Sequence, residues 1–187
     1  METTTVYQHT ASASRIAINR LGLWLFIASE ATLFAAFITA RFYLAGISRP
    51  DGVNEPLGAA MTLVLIGSSI LAYRGLAALG RGDRATMLGS FLGTLGLGAL
   101  FVLGVGFEWS TAEFSIASPY GTAFFTTTGL HVAHLISGLV ALALVYRLAR
   151  QGHFSAESHW GVTAVVRYWT FVDLLWVLVI YPVLYLV

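Results

Sequence analysis

Glu30, His131, His134 and Asp173 are the acidic and imidazole side chains that stand well inside long apolar runs of this 187-residue chain. An ionisable group near the centre of a hydrocarbon layer costs about 3 kcal/mol or more by insertion scales, so each of the four calls for a partner or a task. Carboxylates and imidazoles in such surroundings can hold a proton, pass one along, or hydrogen-bond a neighbouring helix. His131 and His134 stand at i and i+3, on one helical face, with Thr127 and Gly138 continuing the stripe. Two readings of that face stay open, packing by imidazole hydrogen bonds and a functional polar layer. A metal centre is a weaker reading. The Glu-x-x-His pairs of di-iron bundles are missing, and His9, His153 and His159 lie outside the apolar runs, leaving no second intramembrane helix to supply a haem ligand.

The elements that must position these residues are legible in the composition. Residues of the set AVILMFWYC make up 57% of the chain and charged residues 10%, against about 25% charged in a soluble domain. A soluble enzyme and a disordered chain are excluded. A net charge of +1 excludes a nucleic-acid binder, which needs a basic surplus. With no Cys, thiolate catalysis, disulfides and iron-sulfur ligation are excluded as well.

Five apolar stretches, Leu21 to Leu44, Leu57 to Leu79, Ala85 to Phe107, Thr122 to Leu148 and Tyr168 to Val187, each approach or exceed the ~20 residues that cross a bilayer as helix. The expectation is an all-α polytopic bundle with helices at about 21–44, 57–79, 85–107, 122–148 and 164–187. Residues 1–14 are expected as a mobile cytoplasmic tail, and residues 15–187 as a single membrane domain. The first span exceeds the apolar core of a cleavable signal and is read as retained.

All ten basic residues are Arg, eight of them flanking one set of span ends and only Arg41 and Arg49 the other. Cytoplasmic loops hold the excess of basic residues, so the N-terminus is expected inside and the C-terminus outside. Arg41 and Arg74 are expected to snorkel to the headgroups. With a rise of ~1.5 Å per residue, Glu30 lies roughly 14 Å, Asp173 roughly 8 Å, His131 roughly 16 Å and His134 roughly 12 Å from the inner boundary, in one slab. Glu108 and Trp109 at the outer end of the third span read as a solvated charge beside a belt indole, and Trp169 and Trp176 as interface aromatics. The glycines of span three, Gly89-x-x-x-Gly93 among them, allow close helix packing.

Leu23-Trp24-Leu25-Phe26-Ile27-Ala28-Ser29-Glu30 with Phe34, Phe107-Glu108-Trp109, Tyr120-Gly121, Thr128-Gly129-Leu130-His131-Val132-Ala133-His134 and Tyr168-Trp169-Thr170-Phe171-Val172-Asp173-Leu174-Leu175-Trp176 follow one another along the chain. In order and spacing they resemble subunit III of the haem-copper cytochrome c oxidases, in the shorter five-helix bacterial form. The resemblance implies a V-shaped, two-bundle arrangement with a lipid-filled cleft, in a bacterial cytoplasmic membrane. It implies no haem or copper in this chain, those groups being carried by partner subunits I and II, and bound phospholipid. By the same resemblance Glu30 matches the family's carbodiimide-reactive carboxylate beside the cleft, and His131, His134 and Asp173 match its polar motif residues. The chain departs from the pattern at Leu130 for Phe, Val132-Ala133 for Gly-Leu and Thr170 for His. The implied function is that of a non-catalytic subunit that stabilises subunit I and supports proton uptake or O₂ access. A partner of a quinol oxidase or nitric oxide reductase, and a stand-alone proton-coupled transporter, are the alternative readings.

Overall fold

The polar punctuation between the apolar runs sets where each helix begins. In the computed structural model, which describes residues 16–47 and 49–187, helix α1 is described over Ile16–Ala45, α2 over Glu55–Gly80, α3 over Arg84–Thr111, α4 over Pro119–Arg150 and α5 over Trp160–Leu175. The backbone of α5 continues through two π-helical turns, Trp176–Ile180 and Pro182–Leu186. The tail expected over residues 1–14 lies outside the described residues. Asn54, Asp83 and Ser118 cap α2, α3 and α4, their side chains accepting from the backbone N–H of Leu57, Thr86 and Gly121 at 3.0–3.1 Å. Because those caps sit in the polar flanks, the helices run a few residues beyond the apolar stretches. Hydrogen bonds from Thr86 also hold the Asp83 carboxyl below the usual carboxylate range. Gly82, at φ +73°, turns the chain between α2 and α3 in only three residues.

Among the described residues five helices, Ile16–Ala45, Glu55–Gly80, Arg84–Thr111, Pro119–Arg150 and Trp160–Leu186, are long and apolar enough to cross a membrane. The chain is a multi-pass membrane protein built as an all-α helical bundle. Helices α2 and α3 form a tight antiparallel pair, α4 and α5 pack against them, and α1 leans on α4 and α5.

The fifth span is the most buried of these, and Trp169 is its pin. The indole is 1% exposed and lies in a slot where α3 and α4 carry glycine. A Cβ at Gly98 would stand 2.6 Å from the ring, and one at Gly138 2.9 Å. Its Nε1 donates to Ser68 Oγ on α2 at 2.8 Å, so one side chain ties α5 to three other helices. Trp176 is fully buried as well, donates to Thr62 Oγ1 at 3.0 Å and meets the Phe101 ring edge-on at 4.7 Å. Both tryptophans were expected in the interface belt; they are core residues instead, because α2 supplies a hydroxyl for each indole N–H. On α3 the close approach falls to Gly93, Gly98 and Gly104, which face Leu71, Trp169 and Met61, while Gly89 has no neighbour within 4 Å. Gly98→Ala should therefore lower stability by about 1–3 kcal/mol, read as a shift in the unfolding midpoint in detergent. An unchanged midpoint would mean that the indole can slide out of its slot.

The two π-helical turns around Pro182 leave late carbonyls to be satisfied by side chains. Tyr120 donates to the carbonyl of Leu184, Arg49 to that of Tyr185, and Arg41 to those of Val187, at 3.1 Å, and Gly46. Arg41 is fully buried, with its guanidinium 5.2 Å from the centre of the Tyr120 ring. It turns into the bundle instead of snorkelling outward, because those carbonyls and the aromatic face give the cation partners that lipid would not.

Candidate functional site

Helix α1 brings Glu30, and α4 brings His134, to the seam between them. Glu30 Oε2 and His134 Nε2 are 2.7 Å apart. The other imidazole nitrogen, Nδ1, is 2.8 Å from the carbonyl of Leu130. A carbonyl only accepts, so Nδ1 carries a proton and donates. Nε2 and the carboxyl then share their contact through one further proton. The carboxyl donates to a neutral imidazole, or an imidazolium donates to a carboxylate, and in either form the pair has no net charge. That is the inexpensive arrangement for two ionisable groups inside a membrane. The seam is not sealed, since the Glu30 side chain keeps 17% of its exposure and His134 14%.

Aromatic groups frame this pair. The Phe34 ring, 1% exposed, packs 5.2 Å from the His134 ring. Tyr168 of α5 hydrogen-bonds Ser137 at 2.9 Å and packs its ring 5.8 Å from Phe26 of α1. The polar seam is thus continued by hydroxyls along α4 and α5.

His131, one turn earlier on α4, is in a different environment. It is completely buried, with Trp176, Phe101 and Phe34 at 5.1, 5.6 and 6.3 Å between ring centres. Neither ring nitrogen has a hydrogen-bond partner among the described residues. The imidazole acts as one more ring of the core, packed edge-on against Phe34 and Phe101. Asp173 is only 2% exposed and faces α2, where Ser69 Oγ donates to its Oδ2 at 2.7 Å. The single polar layer expected from the sequence therefore resolves into three places: a Glu30–His134 pair, a boxed His131, and an Asp173–Ser69 bond. A shared depth along the membrane did not imply a shared seam between helices.

Glu108 corrects another expectation. It stands at the end of α3 but is not a solvated charge: it is 4% exposed and accepts from Tyr185 Oη at 2.6 Å. The final turn folds Tyr185 over it. Trp109 beside it is 38% exposed and donates to Thr128 Oγ1 at 3.2 Å, compatible with a place at the edge of the bundle. Sequence reading missed Ser68, Ser69, Thr62, Tyr168 and Tyr185. The Ser68-Ser69 pair inside an apolar run was the one available signal. Among the described residues no three His, Asp or Glu side chains gather as metal ligands. Both nitrogens of His134 are engaged, and the His131 ring is packed among Trp176, Phe101 and Phe34.

The sequence model of the family described as cytochrome c oxidase subunit III matches residues 1–187. The cytochrome c oxidase subunit 3 of Thermostichus vulcanus is 31% identical over 173 residues, covering 89% of this chain and 86% of its own length. That of Corynebacterium diphtheriae is 31% identical over 186 residues, covering 91% of this chain and 89% of its own. The protein of the same name from Dugong dugon is 35% identical over 172 residues, with 84% of this chain matched to 65% of the longer relative. The family model spans all five helices and both halves of the Glu30–His134 seam, and by these matches the chain belongs to the cytochrome c oxidase subunit III family.

Proposed function

We propose that this chain is the non-catalytic subunit III of a haem-copper terminal oxidase, stabilising subunit I and supporting proton uptake or O₂ access to it. The observation that carries the proposal is the Glu30–His134 pair, a protonatable, net-neutral couple in a seam of the membrane domain that is left partly open. Haem and copper belong to partner subunits in this reading, since both nitrogens of His134 are engaged and the His131 ring is enclosed by Trp176, Phe101 and Phe34. Large apolar side chains exposed on every helix, such as Trp24, Leu63, Leu103, Leu144 and Leu178, give phospholipid and the partner subunits I and II surfaces to cover. The arginine distribution supports an N-terminus in the cytoplasm and a C-terminus outside, in a bacterial plasma membrane. The expected cleft lipid would lie along α1, the helix with the least burial of the five.

Purification of the tagged chain in mild detergent from its native membrane should bring haem absorbance and a large polytopic partner with it. The haem type and the other subunits would then distinguish cytochrome c from quinol or nitric oxide chemistry. A colourless chain that stays solitary and monodisperse would overturn the reading in favour of a stand-alone transporter, and proton-flux assays of Glu30 variants would follow.

A further inference from the structure

A second carboxylate site lies at the far end of α3, remote from the Glu30 seam. Glu108 and Thr111 from the end of α3, Ala112 and Glu113 after it, and Gly52 and Asn54 from the turn before α2 wall a hollow of about 240 Å³. Glu113 folds back onto that turn, with its Oε2 3.2 Å from where a Cβ on Gly52 would stand. None of the residues lining the hollow is basic.

Three features of this hollow point to a cation. Glu108 is 96% buried by its 4% exposure, yet only its Oε2 is engaged, by Tyr185; Oε1 has no partner among the described residues. Such a half-satisfied buried carboxyl needs a donor or a cation. The carbonyls of α3's last turn lack intrahelical N–H partners, that of Glu108 being met by the Thr111 hydroxyl at 3.3 Å, and the helix dipole places partial negative charge there. Apart from the Asn54 amide, whose Oδ1 caps α2, the side-chain groups this chemistry offers are oxygen: two carboxylates and a threonine hydroxyl, with backbone carbonyls beside them. Oxygen-only sets of that kind suit a hard divalent ion, which takes 6–8 such ligands when it is calcium.

We propose that this hollow binds a hard divalent cation of the calcium class, held by Glu108 and Glu113 with backbone carbonyls of the α3 end and the Gly52–Asn54 turn. Bound there, the ion would fasten the loop before α2 to the end of α3, next to the Tyr185 contact that closes the bundle. The proposal does not depend on the oxidase reading.

The test uses the full chain in lipid nanodiscs with terbium(III) as probe, excited through the neighbouring Trp109 indole. Saturable terbium emission is expected, displaced by calcium and not by an equal ionic strength of sodium. Glu113→Gln, at an exposed position, should weaken terbium binding by about tenfold or more, since affinity follows ligand charge. Glu108→Gln keeps an acceptor for Tyr185 and should do the same. Glu55→Gln, outside the hollow, should leave binding unchanged. Absence of saturable emission from the wild-type chain, or equal affinity in wild type, Glu113→Gln and Glu108→Gln, would overturn the proposal.

Discussion

Trp169→Ala is expected to cost about 3–5 kcal/mol, the range for emptying a buried aromatic site. The indole fills a slot built from two glycines, so nothing on α3 or α4 can reach in to take its place. The replacement also strips Ser68 Oγ of its donor inside the bundle. Trp169→Phe should recover most of the packing and none of the hydrogen bond, losing about 1–2 kcal/mol instead. Unfolding midpoints of the two variants in detergent separate these contributions. If Trp169→Ala were no worse than Trp169→Phe, the slot would collapse on its own and the indole would not be the pin of the fold. The same replacement should release α5 from α2, which hydrogen exchange of the fifth span would show as faster exchange spread along that helix.

The helices themselves were legible because the membrane makes a single demand of them: about twenty apolar residues per crossing with all backbone polar groups satisfied within the helix. Five runs met that demand and five helices resulted. Which face each helix turns to its neighbours was far less legible. The apolar periodicity that marks the buried side of a soluble helix is blurred when lipid on the other side is equally apolar. Trp169 and Trp176 illustrate the difficulty, since aromatic residues near a span end suit the belt and the core alike, and the deciding partners, Ser68 and Thr62, lie more than a hundred residues away. Glu108 was misread for the same reason. Its burial depends on Tyr185, carried over it by the π-helical turns around Pro182. At the seam, the spacing of His131 and His134 placed both on one face of α4, but only contact with α1 could show that His134 meets Glu30 while His131 meets rings.

Replacing Glu30 separates a latch from a proton site. In Glu30→Gln the side-chain amide can donate to Nε2 of a neutral His134, so the link between α1 and α4 survives and stability should change by less than about 1 kcal/mol. Glu30→Ala and His134→Leu each leave one partner of a partly buried pair unsatisfied and should cost about 1–3 kcal/mol. The double replacement should cost less than the sum of the two, because the partner that each single variant strands is then gone. The amide, however, cannot exchange the proton that the pair shares. In the assembled oxidase, if the pair supports proton uptake, Glu30→Gln should lower turnover or the stoichiometry of proton pumping, or hasten inactivation during turnover, while leaving assembly and thermal stability intact. Infrared spectra of the chain should show either a protonated-carboxyl band that disappears in Glu30→Gln and shifts in His134→Leu, or an imidazolium signature that disappears in both variants. Turnover, pumping and inactivation all unchanged in both Glu30→Gln and Glu30→Ala would remove any proton or oxygen role from this seam. The pair would then be a fastening between two helices, and its net neutrality would matter only as the condition that lets it lie in a membrane.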